Sequence, residues 1–321
     1  MIHQRHSQGV FGLIDEVIDA LAPALAYRAL FDKALAGVRQ AADASPIFLP
    51  VDLPMAVADV LGRPVAEACV AAAASTLVWS GADLMDDAAD AELTEDWAGV
   101  SPSQIALVST NLLSTLPHLL VGEIDPGDGS IASAYSQALA RTLFVMSAGQ
   151  SVDLDSAASV RTVDDYLDLV RRKSGAEFAL FASTPALLAG ADAETVGAWV
   201  RFGFAYGSMI QIFSDTVSTV AEGPRNDLLS GKRTLPVLHA DASIGDTEHS
   251  SFAADLDLAS KGDHCAVARA IQAMSELGTV RKSLETVELQ RFRAVKALPV
   301  ALTDLPKEHP LRVMLRACSV V

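Results

Sequence analysis

An acidic octapeptide, Asp83 to Asp90, is the stretch of this sequence best suited to chemistry. It holds four aspartates and closes a long apolar segment that begins near Val65. Residues four apart share one face of a helix, so Asp86 and Asp90 project together, and Asp87 lies beside them. Carboxylates this close repel one another, and hard divalent cations such as Mg²⁺ would neutralise them. The alternative is a solvated acidic helix end, because an acidic, alanine-rich chain forms such clusters by chance.

A second set of oxygen-bearing side chains recurs at helical spacing later in the chain. Ser214, Ser218 and Glu222 are four residues apart and would line one face of a helix predicted over residues 195–222. Asp215 is adjacent to this face, and Gln211 lies one turn before it. We therefore predict a second possible metal-binding face.

Basic side chains that could hold an anion occur at two places. Arg172 and Lys173 lie inside a predicted helix that begins at the capping-box sequence Thr162–Asp165. Lys232 and Arg233 lie in a later loop that could fold over a bound polyanion. The alternative for the first pair is a solvated basic turn.

The composition predicts one all-α domain over residues 1–321. Half of the residues are hydrophobic and only 6% are aromatic, with alanine, leucine and valine dominating the periodic stretches. No obvious linker divides the chain, and residues 1–10 are expected to form a flexible tail. The net charge of −16 argues against binding nucleic acid or anionic lipid, and it favours cations or ligands that arrive with cations.

The sequence also predicts a soluble, cytoplasmic protein without stable membrane insertion. The first nine residues are polar and lack the apolar region of a secretory signal. Apolar runs such as Phe178–Ala191 are interrupted or too short to cross a bilayer. The three cysteines, Cys69, Cys265 and Cys318, are widely spaced and have no metal-site spacing, as in a reduced cytosolic protein.

Taken in order, several segments resemble the motifs of the trans-isoprenyl diphosphate synthase family. These segments are Asp86–Asp90, Gly149–Asp153, Lys173–Ser174, Gln211–Asp215 and Gly231–Pro236. The resemblance extends from about residue 55 to residue 316. It implies the isoprenoid synthase fold, a single bundle of mostly antiparallel helices around a central cavity, and a homodimer.

Departures from the family pattern concern the site for isopentenyl diphosphate, the second substrate of chain-elongating members. Those members carry basic residues where this chain has Ser45–Pro50, a histidine near Trp79, and an Arg-Arg-Gly segment near Thr94–Trp97. Without counter-charge, a diphosphate is not expected to bind there. The second motif, Ser214–Glu222, looks like the metal triad of class I terpene synthases instead.

The resemblance therefore implies a class I terpene synthase, a lyase that ionises an allylic isoprenyl diphosphate with Mg²⁺ and does not use isopentenyl diphosphate. Two ions would be held by Asp86 and Asp90 with Asp87 beside them, and a third by Ser214, Ser218 and Glu222 with Asp215 adjacent. Two alternatives stay open. One is a prenyltransferase that joins the allylic group to a non-isopentenyl acceptor, and the other is a non-catalytic subunit of a heteromeric prenyl synthase.

The resemblance also implies a set of substrate contacts. The diphosphate would be bound by Arg172, Lys173, Gln211, Lys232 and Arg233, and the isoprenoid chain would contact Trp79, Gly81, Ala82 and Phe213. Gly81 and Ala82 stand where bulky residues close the cavity of chain-elongating relatives. We therefore expect an open cavity that prefers geranylgeranyl diphosphate to farnesyl diphosphate, because each additional buried CH₂ contributes about 0.8 kcal/mol.

Overall fold

The structure is a computed structural model that describes residues 2–90, 92–124, 127, 129–155, 160–223 and 226–317. Within these ranges every regular element is helical, which confirms the predicted all-α class. The α-helices are α1 (Ile2–Ala20), α2 (Leu25–Ala44), α3 (Leu49–Val60), α4 (Val65–Ala89), α5 (Pro102–Thr110), α6 (Leu116–Ile124), α7 (Ser130–Asp153), α8 (Val163–Val170), α9 (Ala176–Leu188), α10 (Ala193–Val220), α11 (Leu235–Asp241), α12 (Asp246–Ser260), α13 (His264–Glu276), α14 (Thr279–Ala297) and α15 (Pro310–Ala317). Two five-residue π-turns, Asn111–Thr115 and Arg171–Gly175, connect α5 to α6 and α8 to α9, and short 3₁₀ turns occupy Glu95–Trp97 and Leu302–Asp304.

The chain divides into two compact units, and each is described separately. The first comprises Met1–Phe144, Ala179–Val200 and Pro299–Met314, and in it α4 packs against α1, α3, α5 and α6. The second comprises Val145–Phe178, Arg201–Leu298 and Leu315–Val321, and in it α11 packs against α8, α13 and α14. The organisation as one domain stays a prediction.

Local sequence signals account for several of the observed helix ends. The capping box predicted at Thr162 is present, since the Asp165 N–H donates to Thr162 Oγ1 at 3.1 Å. A similar box begins α5, where Ser101 caps the helix. Residues expected to form an N-terminal tail instead belong to α1 from Ile2 onward, and Val10 in that helix is fully buried.

Helix α4 carries the acidic octapeptide on a buried stem. Its middle is alanine-rich, and its three buried hydroxyl groups each donate to the carbonyl four residues earlier, at 2.7–2.8 Å for Ser75, Thr76 and Ser80. These bonds satisfy polar groups that would otherwise be costly to bury. The stem can therefore lie inside the first unit while its C-terminal end presents carboxylates.

Two helices in the part of the chain that the structure describes are long and apolar enough to cross a membrane, judged by length and composition alone. They are Val65–Ala89, which is α4, and Pro102–Ile124, which is the continuous run of α5, the first π-turn and α6. A bent pair, Leu25–Ala44 with Leu49–Val60, would add a third if it acted as one span. The expectation that apolar runs are too short is wrong for these segments. In Val65–Ala89, 72% of the apolar window is buried inside the protein.

The π-turn Arg171–Gly175 fits closely against two glycines of the second unit. A Cβ atom at Gly149 would lie 3.0 Å from Arg172 Cβ and 3.2 Å from the Lys173 nitrogen. A Cβ atom at Gly207 would overlap the Ser174 carbonyl group, with only 2.8 Å to the carbonyl carbon. The absence of side chains at these two positions therefore fixes where the π-turn lies.

We expect Gly207→Ala to lower the free energy of unfolding by about 1–3 kcal/mol, because the atoms it meets are backbone atoms that cannot rotate away. The matched control is Gly37→Ala on α2, where an added Cβ meets nothing within 4 Å. That variant should gain up to about 1 kcal/mol from helix propensity. Urea unfolding of both variants tests this contrast, and equal stability changes would contradict the close fit.

His239 on α11 is a buried titratable side chain with an unusual environment. It is 5% exposed, and neither ring nitrogen has a hydrogen-bond partner. Burial and the positive charge of Lys282 lower the pKa of His239 to about 4. The ring is therefore held neutral in the folded protein at pH values where the unfolded chain would bind a proton.

We expect this histidine to make folding acid-sensitive between pH 6.5 and 4. In that interval the unfolded chain binds more protons than the folded one, so stability falls as the pH is lowered, by a total of about 3 kcal/mol. His239→Leu should flatten this part of the curve of unfolding free energy against pH. His264→Leu, which removes an exposed histidine on α13, is the control. An unchanged slope in His239→Leu would rule out His239 as its source.

Candidate functional site

The acidic octapeptide lies at the C-terminal end of α4, as predicted. Asp86 and Asp87 are half-buried there, and Asp90 follows the last helical residue. Partial desolvation of the Asp83 carboxyl group and the negative charges of Asp87 and Asp86 raise the pKa of Asp83 to about 6. The negative end of the helix dipole adds to this repulsion. Negative charge is therefore concentrated at one point.

This arrangement fits a hard divalent cation in its donor chemistry. The donors are carboxylate oxygens, which Mg²⁺ prefers, and a cation would offset the repulsion that Asp86 and Asp87 exert on Asp83. The structure contains no group of three His, Cys, Asp or Glu side chains arranged to hold a metal ion among the residues it describes. Asp86, Asp87 and Asp90 are thus ligand candidates whose side chains need to reorient around an ion.

The residues of α4 predicted to line an open cavity are packed differently. Gly81 is buried, and a Cβ atom there would lie 2.8 Å from Leu113 Cγ and 3.0 Å from Leu112 Cβ, so the π-turn Asn111–Thr115 fills the space. The expectation of open space at Gly81 is wrong, because the glycine serves helix packing. Ala82 is half-buried.

Trp79, also predicted to contact the isoprenoid chain, is half-buried on α4. Its ring packs edge-on against Phe48, with 5.5 Å between the ring centres. Phe48 is 7% exposed and belongs to the segment where chain-elongating relatives are expected to have basic residues. An aromatic contact therefore occupies this part of the first unit.

The second motif forms a hydrogen-bonded network in the second unit. Asp215 on α10 accepts two bonds, one from Tyr166 Oη to Oδ2 at 2.5 Å and one from Gln211 Nε2 to Oδ1 at 2.6 Å. Ser174 Oγ donates to Gln211 Oε1 at 2.5 Å, which orients the Gln211 amide group so that its nitrogen faces Asp215. The predicted site residues Gln211 and Asp215 are thus brought together.

Electrostatics in this network keep Tyr166 as a donor. Desolvation raises the pKa of Asp215, while the hydrogen bonds from Tyr166 and Gln211 and the positive charge of Lys232 oppose that increase. Burial and the negative charges of Asp215 and Asp227 hold the pKa of Tyr166 well above its usual value. The Tyr166 hydroxyl therefore stays protonated and can donate its hydrogen bond at neutral pH.

The predicted cations of this unit each lie near carboxylates. Lys173 on the π-turn pairs with Asp153, the last residue of α7. Arg172 pairs with Asp168 at 2.7 Å, and Arg233 pairs with Asp241. Lys232 is close enough to Asp215 to influence its ionisation. A bound anion could therefore contact all of these cationic side chains only by displacing the carboxylates that pair with them.

Of the predicted triad Ser214, Ser218 and Glu222, the two serines lie on α10 and Glu222 follows its end. Helix α10 ends at Val220, so Glu222 lies two residues beyond the helix, where it is exposed. Glu222 lines an open groove of about 680 Å³ with α13 residues such as His264 and Ile271. Ser214 is exposed, and Ser218 and the predicted substrate contact Phe213 are half-buried. Where the helix ends decides which of these oxygens lie together.

Tyr166 and Asp153 are the functional candidates that sequence reasoning missed or underused. Tyr166 precedes Lys173 by seven residues, so on a continuous helix the two side chains would project from the same side. That spacing was the available signal for Tyr166. Asp153 is the last residue of the motif Gly149–Asp153. Its partner Lys173 is 20 residues away in the sequence, and no local pattern predicts that contact.

Comparison with known proteins identifies the family of this chain. A sequence profile described as polyprenyl synthetase matches residues 97–274. The geranylfarnesyl diphosphate synthase of Natronomonas pharaonis is 36% identical over 109 residues, which are 32% of this chain and 32% of the relative. The geranylgeranyl diphosphate synthase of Mycobacterium tuberculosis is 29% identical over 213 residues, 62% of this chain and 60% of the relative. The chain thus spans less than two thirds of these relatives.

Solved structures confirm the predicted isoprenoid synthase fold. The polyprenyl synthase of Caulobacter crescentus, whose crystal structure is a complex with calcium and isoprenyl diphosphate, superposes with a TM-score of 0.78. The match covers 99% of this chain and 95% of that chain at 21% sequence identity. An identity this low shows shared architecture only.

These comparisons correct the function expected from the sequence. The curated relatives are named as prenyl diphosphate synthases, which are chain-elongating prenyltransferases, so the interpretation as a terpene synthase independent of isopentenyl diphosphate is wrong. That interpretation rests on the absence of basic residues at Ser45–Pro50, near Trp79 and at Thr94–Trp97, and on the second motif Ser214–Glu222. The first two of these positions lie before the region that the family profile matches. Since the family match spans more than half of the 321 residues, the chain belongs to the polyprenyl synthetase family.

Proposed function

We propose that this protein is a prenyltransferase that joins the prenyl group of an allylic diphosphate to isopentenyl diphosphate and releases a longer prenyl diphosphate. The observation that carries the proposal is the network in which Asp215 is held by Tyr166 and Gln211 beside Lys232. The names of the curated relatives support chain elongation. Their products favour farnesyl diphosphate as the allylic substrate, with geranylgeranyl diphosphate second.

The residues of the second unit have separable roles in this proposal. Lys173, Lys232, Arg172 and Arg233 bind the diphosphate group. Lys173, Arg172 and Arg233 do so when the diphosphate displaces their carboxylate partners. Gln211 and Ser174 orient Asp215 toward that group. The cationic side chains stabilise the charge that develops on the leaving diphosphate as its C–O bond breaks.

The acidic end of α4, in the first unit, is a second candidate metal site. We propose that Asp86, Asp87 and Asp90 hold two Mg²⁺ ions and that Asp215 binds a third ion. When bound, Mg²⁺ supplies positive charge that stabilises the departing diphosphate. The calcium-bound relative from Caulobacter crescentus supports divalent cations in this fold.

The proposed transfer needs no cofactor other than Mg²⁺. The allylic C–O bond breaks and its electron pair leaves with the diphosphate, which gives an allylic cation. The double bond of isopentenyl diphosphate attacks that cation, a carbon–carbon bond forms, and the resulting cation loses a proton to the released diphosphate. Apolar surroundings would keep water from the cation.

A second acceptor class has one observation in its favour. Phe48 and Trp79 form an aromatic contact near the position where chain-elongating relatives are expected to have basic residues. Aromatic surfaces suit an apolar acceptor better than a diphosphate. The second candidate is therefore transfer of the prenyl group to a non-isopentenyl acceptor. In either case we propose a cytoplasmic homodimer without membrane insertion.

Incubation of the protein with farnesyl diphosphate, Mg²⁺ and radiolabelled isopentenyl diphosphate should give a labelled, longer prenyl diphosphate. Controls omit Mg²⁺ or the allylic substrate. Consumption of farnesyl diphosphate only when a non-isopentenyl acceptor is added would favour the second candidate. If no combination consumes the allylic substrate, the protein is not a prenyltransferase on its own, as expected of a non-catalytic subunit.

We expect Asp86→Asn to lower turnover by at least about 10²-fold, because it removes charge that helps to stabilise the leaving group. Glu222→Gln is the comparison variant, since Glu222 is exposed beyond the end of α10. Its turnover should stay close to the native value. Steady-state assays with saturating Mg²⁺ measure both variants. A large loss in Glu222→Gln would instead restore it to the metal site.

A further inference from the structure

Tyr166 is a nearly buried tyrosine whose hydroxyl reaches the second acidic motif from another helix. Tyr166 lies on α8 and is 3% exposed, and its Oη lies 2.5 Å from Asp215 Oδ2 on α10. The two residues are 49 positions apart in the sequence. The contact therefore depends on tertiary packing and ties α8 to the carboxylate.

The Asp215 carboxylate is restrained from both sides. Gln211 donates to Oδ1 at 2.6 Å, and its amide group is itself oriented by Ser174 of the π-turn. With one donor on each oxygen, rotation of the carboxylate about its Cβ–Cγ bond would break two short hydrogen bonds. Its plane is thus set by residues from α8, α10 and the π-turn.

The chemical nature of these donors leaves Asp215 able to bind a cation. Tyrosine and glutamine are neutral, so they orient the carboxylate without cancelling its charge. A carboxylate has about four lone-pair sites, and the two hydrogen bonds use two of them. A lysine or arginine in the place of Tyr166 would hold the same atoms but would neutralise the group.

We propose that Tyr166 is a positioning residue, which, with Gln211 as the second donor, holds the Asp215 carboxylate in the orientation that binds a divalent cation together with diphosphate. This inference rests on the proposed function, because it assumes that Asp215 is a metal ligand. Partners that orient metal-binding carboxylates are typically important for affinity, and their removal weakens metal binding by about 10- to 100-fold.

The test uses Tyr166→Phe in the full chain, which removes only the hydroxyl. Free Mn²⁺ is measured by electron paramagnetic resonance in the presence of inorganic diphosphate. We expect about tenfold weaker Mn²⁺ binding in Tyr166→Phe. The matched control is Tyr135→Phe, which removes the hydroxyl of a tyrosine that is 1% exposed on α7 and should leave Mn²⁺ binding unchanged.

A turnover measurement adds a readout that a purely structural role would not produce. If Tyr166 positions Asp215, the Mg²⁺ concentration for half-maximal turnover rises about tenfold in Tyr166→Phe, while kcat at saturating Mg²⁺ recovers toward the native value. Unchanged Mn²⁺ affinity would overturn the proposal. Tighter Mn²⁺ binding would also overturn it, since the hydroxyl would then be competing with the cation for Oδ2.

Two further outcomes are distinguished in advance. If Tyr166→Phe does not fold, Ser174→Ala loosens Gln211 from the other side of the carboxylate, and Mn²⁺ binding as tight as native in that variant would overturn the proposal. Binding of Mn²⁺ and diphosphate does not require turnover. If the native protein binds Mn²⁺ and diphosphate but forms no product, the proposed prenyltransferase activity is wrong. The comparison of Tyr166→Phe with Tyr135→Phe still decides the role of Tyr166 in that case.

Discussion

The cost of removing the Asp215 carboxylate from water is the constraint on which the second unit depends. A desolvated carboxylate is tolerated only when donors replace its hydration. Here a tyrosine from α8 and a glutamine from α10 supply those donors, and Ser174 fixes the glutamine. The position of the π-turn, and hence of Lys173, follows from the same set of contacts, because Gly207 lets Ser174 approach α10.

The sequence was sufficient for the fold class because helical signals here are local. Apolar residues recur at helical spacing, and the Thr162 capping box starts a helix where it was expected. The stem of α4 was predicted over Val65 to Asp90 and is observed over Val65–Ala89. The order of the family-like motifs also gave the correct fold, since it reflects the order of helices around a common architecture.

The parts of the site that sequence reasoning misjudged depend on distant contacts. Whether Gly81 opens a cavity or admits a neighbouring helix depends on Leu113, which is far along the chain. Whether Glu222 shares a face with Ser218 depends on where α10 ends, and helix ends vary by one or two residues for reasons no repeat reveals. The expectation that isopentenyl diphosphate is not used is wrong, because the absence of basic residues at Ser45–Pro50, near Trp79 and at Thr94–Trp97 concerns short segments, whereas the family match covers residues 97–274.

Helix α4 also has a consequence for how the chain is made. By composition it is a segment that a membrane-insertion machinery could accept, yet in the folded protein most of its apolar window is buried. Its packing partners α1 and α3 precede it in the chain and therefore leave the ribosome first. Part of its cover is thus available as soon as α4 emerges, and the order of synthesis itself limits how long this helix is exposed to chaperones or lipid.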